Sequence, residues 1–189
     1  MKKILIFLVA ACSLLVSCEK ENSIKEVDDV CTTMDDSNFM KYCYDKFDVN
    51  HDGKVSMQEA AAVKSMDCSY KYITSLKGIQ YFTSITSLEC TNNKLTTLDV
   101  SKNAALEKLD VLENLLTTLD VSKNTALKVL DCSNNKLTTL DVSKNAALEK
   151  LYCFYPLNTT ITVYYSSGQP VNKWKDHNYS RQNVIWKLK

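Results

Sequence analysis

The chain has 189 residues, with 23 Lys and Arg against 22 Asp and Glu, a formal net charge of +1. That balance gives no basic footprint for nucleic acid, and the length suits one domain with a continuous core. There is no nucleophile elbow, phosphate loop or zinc-ligand spacing, and the two histidines, His51 and His177, have no catalytic partner pattern. A non-enzymatic protein is expected.

Residues 1–17 read as a signal peptide. Lys2 and Lys3 form a positive start, and Ile4 to Val16 form an apolar stretch too short to span a bilayer comfortably. Leu15-Val16-Ser17-Cys18 resembles the bacterial lipobox, which implies lipidation at Cys18 and membrane attachment through that anchor only. An ordinary secretory signal with an incidental Cys18 is the alternative. Residues 18–35 include the polar run EKENSIKEVDDV and read as a flexible tether. Charges directly after the lipidated cysteine resemble the surface-export signal of Bacteroidetes lipoproteins, implying an exported chain on the outer membrane or cell surface.

Residues 36–64 read as a helix-loop-helix. Phe39, Cys43 and Phe47 make the apolar stripe of an entering helix behind a Ser37 or Asp36 cap. Ser56 and Glu59 form a capping box for an exiting helix through AAAV. Between them lies DVNHDGKVSMQE, residues 48–59. Asp48, Asn50 and Asp52 alternate before Gly53, and Glu59 follows at the twelfth position. Oxygen atoms on alternate residues of a tight turn suit a hard cation, which takes six to eight of them at about 2.4 Å. The pattern resembles EF-hand or dockerin-type calcium loops. The resemblance implies one Ca2+ held by Asp48, Asn50, Asp52, the Lys54 carbonyl, Ser56 and Glu59. Ala60 departs from the large apolar residue usual after the loop, and the single copy argues against cooperative sensing or a complete dockerin. The expected affinity is weak and structural, about 10⁻⁴ to 10⁻³ M. A polar turn capped by Ser56 is the plainer alternative.

Residues 65–158 are periodic. LECTNNKLTTLDVSKNAALEK, LDVLENLLTTLDVSKNTALKV and LDCSNNKLTTLDVSKNAALEK follow one another from Leu88, and MDCSYKYITSLKGIQYFTSITS precedes them. The framework Leu127, Leu130, Cys132, Asn135, Leu137 recurs as Ile85, Leu88, Cys90, Asn93, Leu95 and as Leu106, Leu109, Val111, Asn114, Leu116. This is the leucine-rich-repeat signature, and the segment 76–88 is similar to internalin-type repeats of bacterial surface proteins. A mostly β solenoid of four to five coils is expected, with the helix-loop-helix as its N-terminal cap. Asn93, Asn114 and Asn135 should turn inward onto backbone groups. Asp99, Asp120 and Asp141 each should bond their own turn. The other half of each repeat, Leu98-Asp99-Val100 and its copies, should run as short extended segments without helices.

Eight cysteines suggest a disulfide scaffold at first sight, but Cys68, Cys90, Cys132 and Cys153 share one repeat column with Val111, so buried thiols are expected. Residues 159–189 lose the period and read as a C-terminal cap: TITVYY as a strand, a turn at 166–170, and Trp174, Tyr179, Ile185 and Trp186 as cover.

By the two-residue period of a strand, Asp67, Glu89, Asp110, Asp131 and Tyr152 face outward. A second outward column is Ser69, Thr91, Leu112, Ser133 and Phe154. Acids grading into Tyr152 and Phe154 form a candidate surface for a protein or glycan ligand; a solvated face that keeps the sheet soluble is the alternative. The choice is between an interaction lipoprotein and a structural accessory lipoprotein of an outer-membrane complex. Nothing implies an oligomer.

Overall fold

The computed structural model describes residues 28–154, 160–177 and 183–189. Its spine is a parallel sheet of five three-residue strands. These are β1 (Ser65–Asp67), β2 (Ser87–Glu89), β3 (Lys108–Asp110), β4 (Val129–Asp131) and β6 (Lys150–Tyr152), in chain order β1-β2-β3-β4-β6. The register aligns Met66, Leu88, Leu109, Leu130 and Leu151 in one buried row. No coil can bury its leucine alone. Stacking encloses the row, and each leucine so enclosed contributes roughly 1.5–3 kcal/mol.

The strands stop because an aspartate bends the chain. Asp67, Asp110 and Asp131 accept hydrogen bonds from the backbone N–H two residues on, at 3.1, 3.1 and 2.9 Å, which are Asx turns. The next bend takes Tyr70, Asn92, Glu113 and Asn134 into the left-handed region, with φ of 58, 52, 55 and 51°. Asn93, Asn114 and Asn135 then insert. Asn114 Nδ2 donates to the carbonyls of Cys90 and Val111 at 3.0 and 3.1 Å, and its Oδ1 accepts from Leu95 N at 3.0 Å. The inward ladder expected from the repeat is present.

The opposite side carries a second ladder that the repeat signature does not name. Asn103, Asn124 and Asn145 are fully buried, and each Nδ2 donates to two carbonyls of the preceding coil, as in Asn124 to Val100 and Asn103 at 3.0 and 2.9 Å. Gln169 ends it, donating to Val142 and Asn145 at 2.9 and 2.8 Å. Among the described residues, no α-helix occupies this side within the repeats. A regular strand appears only at β5 (Thr139–Asp141), joined to Asp120 by a single bridge. The earlier copies remain irregular, since only β5 lies against a long regular strand: β7 (Thr160–Tyr165) pairs with it, and β8 (Asn183–Leu188) pairs with β7, all parallel.

At the N-terminal end, α1 (Ser37–Phe47) starts at the Asp36 cap and α2 (Met57–Ala62) at the Ser56–Glu59 capping box. Phe47 meets Phe82 of the first coil, ring centroids 5.4 Å apart, so the helices share the solenoid core. Asp36 joins the two parts: one oxygen accepts from Phe39 N at 2.8 Å, the other from Thr74 N and Thr74 Oγ at 2.7 Å each. Gly78, at φ 106°, lets Met34 in close; a Cβ there would sit 2.7 Å from the Met34 Cγ.

Three expectations need correction. The tether does not extend through residue 35, because a 3-10 helix at Val30–Thr33 buries Val30 and Cys31 completely. Ser133 does not face outward; it is buried, and its Oγ accepts from Phe154 N at 3.0 Å. Ile185 is 47% exposed and covers little, whereas Trp174 is buried and donates to Glu149 O at 3.1 Å. Tyr179 and Cys18 lie outside the described residues.

Candidate functional site

The loop after α1 is drawn tight by its own acids. Asp48 Oδ1 and Oδ2 accept from Asp52 N and Gly53 N at 3.1 and 3.0 Å. Asn50 Oδ1 also accepts from Asp52 N, at 3.0 Å, and Asp52 Oδ1 accepts from Lys54 N at 2.9 Å. Gly53 makes the sharp turn at φ 82°. Its backbone region is open to glycine without strain.

Glu59 spans the loop. One oxygen takes Val49 N at 3.0 Å, and the other takes Ser56 N and Ser56 Oγ at 2.8 Å each. The Ser56 backbone bond, with further help from its hydroxyl and Val49 N, holds the Glu59 carboxyl below the usual glutamate range. Lys54 turns its ammonium outward to Asp28. The donor set, five oxygen-bearing side chains around one glycine turn, fits a hard cation in kind and order. The described residues contain no group of three or more His, Cys, Asp or Glu placed to hold a metal.

The strand face is a second candidate. Asp67 is exposed, and Glu89, Asp110, Leu112, Asp131, Tyr152 and Phe154 are half-buried. Glu89 pairs with Lys108 at 2.9 Å, and Asp110 accepts from Thr91 Oγ at 2.8 Å besides its turn bond. Burial lifts the Asp131 carboxyl above its ordinary value, and the Asp110 charge adds to this, against the Ser133 hydrogen bonds that lower it. The Ser69 bonds hold Asp67 below the usual range. Tyr152 and Phe154 stand together at the far end, ring centroids 6.2 Å apart. The face therefore presents two contiguous half-buried rings beside a carboxylate that its surroundings disfavour. Asp99, Asp120 and Asp141, by contrast, bond Ser101, Ser122 and Ser143 N at 2.9, 2.8 and 2.9 Å and serve their turns, as expected.

A pair of exposed tyrosines escaped the sequence reading. Tyr70 and Tyr72 are 68% and 72% exposed, both at positive φ, with the Lys94 ammonium 5.4 Å from the Tyr72 ring centroid. Their place at positions 70 and 72, where the next coil carries Asn92 and Lys94, was the available signal. All six described cysteines are buried. Burial raises Cys68 and Cys153 to about 12, so these thiols do not ionise near neutrality. No helix of the described residues is long and apolar enough to cross a membrane.

Comparison with known proteins places this geometry. No family model matches the chain. Over 68 residues it is 38% identical to Internalin J of Listeria monocytogenes serotype 4b (strain F2365), a stretch covering 36% of this chain and 7% of that protein. The functional domain of InlJ from L. monocytogenes, which includes a cysteine ladder, superposes with a TM-score of 0.52 at 30% identity, covering 74% of this chain and 38% of that one. The coils are internalin-like leucine-rich repeats. The internalin InlF of the same species shares the fold, with a TM-score of 0.57 at 16% identity over 85% of this chain and 53% of its own. The chain spans well under two thirds of each of these relatives.

Proposed function

We propose that the protein is an exported, lipid-anchored, non-catalytic interaction protein. Its strand face takes a protein ligand, and its N-terminal cap holds one structural Ca2+. The observation that carries the interaction reading is the continuous five-strand face, on which an acidic column runs into the paired rings of Tyr152 and Phe154. Half-buried aromatics flanked by charge suit the desolvated centre of a protein interface. Likeness to internalins, proteins of bacterial surfaces, supports the same assignment. Anchoring through Cys18 rests on the signal-like residues 1–18.

A second reading has its own observation. Asp67, Asp110 and Asp131 already bond their own turns, which is what a purely structural accessory lipoprotein would need of them. Cross-linking on intact cells separates the two. The interaction reading expects a protein adduct that disappears when Asp110, Asp131, Tyr152 and Phe154 are all replaced by alanine while the melting curve stays cooperative. An adduct of unchanged yield removes the strand face as the site.

For calcium, Asp48, Asn50, Asp52, the Lys54 carbonyl, Ser56 and Glu59 would hold the ion. When bound, it would supply charge that ties the two cap helices together.

A further inference from the structure

A lone calcium loop has a structural problem at its eighth residue, Val55. Val55 is fully buried and sits between two candidate ligand positions, Lys54 and Ser56. With no second loop beside it, its N–H and C=O would be left unpaired in the interior, which is costly. Both are taken by the chain just upstream. Val30 N donates to Val55 O at 2.9 Å, and Val55 N donates to Asp29 Oδ1 at 3.2 Å.

We propose that Asp29 and Val30 act as the loop's second strand and position its calcium ligands. This rests on the calcium assignment made above. Peptide planarity carries the argument: in a trans peptide the C=O and the following N–H point in opposite directions. Val55 N–H is the far end of the Lys54 carbonyl's own peptide unit. Tying that N–H outward to Asp29 therefore aims the Lys54 oxygen into the loop. The next peptide unit is fixed in the same way. Val55 O is held outward by Val30 N, and Ser56 N points inward to Glu59 Oε2 at 2.8 Å. Two consecutive peptide planes at the ligand positions are thus set from outside the loop.

Asp29 is built for this role. It is 9% exposed, and its Oδ1 also accepts from Cys31 N at 3.0 Å, capping the 3-10 helix that delivers Val30. Its Oδ2 accepts from Tyr44 OH at 2.6 Å, which anchors the carboxylate to α1. A carboxylate at the N–H end polarises the peptide and makes the Lys54 carbonyl a better donor to a cation, as outer-shell groups do for metal ligands. Asp29 is a positioning residue and touches no ion itself.

The test is calcium titration by calorimetry on the full chain in mild detergent, together with the ¹³C shift of the Lys54 carbonyl on adding calcium. Asp29→Ala is expected to weaken calcium binding by about 10-fold or more, the usual range for loss of an outer-shell partner. Val30→Pro removes the N–H donated to Val55 at a first-helical position that accepts proline, exchanging a buried isopropyl group for a ring of similar size, and should weaken binding several-fold. Asp29→Asn keeps an acceptor oxygen and should recover most of the affinity. Tyr44→Phe should stay within about twofold, because Oδ1 keeps its partners. The Lys54 carbonyl shift should follow the same order, a response that mere loss of stability would not give. If Asp29→Ala does not fold, Val30→Pro carries the test by itself. Wild-type affinity and an unchanged carbonyl response in the folded variants overturn the clamp and leave the calcium loop standing. No calcium binding by the unaltered chain overturns both.

Discussion

The two asparagine ladders run along opposite sides of the same coils and differ in how completely they are used. In the ladder behind the strands, both ends of each amide are engaged: Asn135 Nδ2 donates to Val111 and Cys132 O at 2.9 and 3.0 Å, and its Oδ1 accepts from Leu116 N at 3.0 Å. In the opposite ladder the NH2 groups are fully engaged, while Oδ1 of Asn103, Asn124 and Asn145 has no hydrogen-bond partner among the described residues. The first ladder is an exchange between donors and acceptors; the second serves carbonyls alone. A repeat protein can thus hold its coils in register with amides of unequal worth at equally constant positions.

The comparison gives an order of effects. Asn114→Ala should be the most damaging of these changes. It leaves the Leu95 N–H without its acceptor in the interior and removes one of the two amide donors from each of the Cys90 and Val111 carbonyls, which keep Asn93 and Asn135, at a cost of about 3 kcal/mol. Asn124→Ala should cost only about 1–2 kcal/mol, since the unpartnered Oδ1 leaves together with the donors. Urea midpoints at constant m would show the difference, and equal losses would erase the distinction between the ladders.

At the cap, Asp36→Ala should cost about 1–2 kcal/mol through its N-cap bond and the Thr74 bonds. Burial works to raise Asp36, but Thr74 and Phe39 outweigh it and its pKa lies below the usual carboxylate value. Its stabilisation is therefore present above the unfolded value of about 3.9 and is lost as pH falls through the lower folded value. Acid titration of the cap helices by circular dichroism should show the wild-type chain losing stability in that window and Asp36→Ala losing less. The smallest change is expected of Asp131→Asn. Removing a carboxylate whose charge is disfavoured, while keeping a side-chain oxygen for the Ser133 turn, should leave stability within about 0.5 kcal/mol, shifted upward. A loss above 1 kcal/mol would mean that the Asp131 charge serves the fold.

The strand ladder, its asparagines and the cap helices were legible because each has a local pattern. Leucines three apart mark the coil, and Ser56 with Glu59 marks a helix start. Asn103, Asn124 and Asn145 were constant too, in SKN, yet an asparagine after Ser-Lys reads as a surface turn; only the neighbouring coil's carbonyls make it interior. Asp29 and Val30 were unreadable for another reason. They close a polar run, and their partners Val55 and Tyr44 are distant in the chain. Ser133 was misplaced because strand alternation assumes open space beside it, which Phe154 of the next coil fills.

The most direct measurement is the melting temperature of the full chain in calcium and in chelator, beside Asp48→Ala. At calcium tenfold above a millimolar Kd, linkage gives about 1.4 kcal/mol, or about 3–5 °C for a domain of this size. A calcium-held cap predicts that upward shift in the unaltered chain and none in Asp48→Ala. Identical midpoints in calcium and chelator for the unaltered chain would contradict it, and DVNHDGKVSMQE would then be a turn held by Ser56 and Glu59 without an ion.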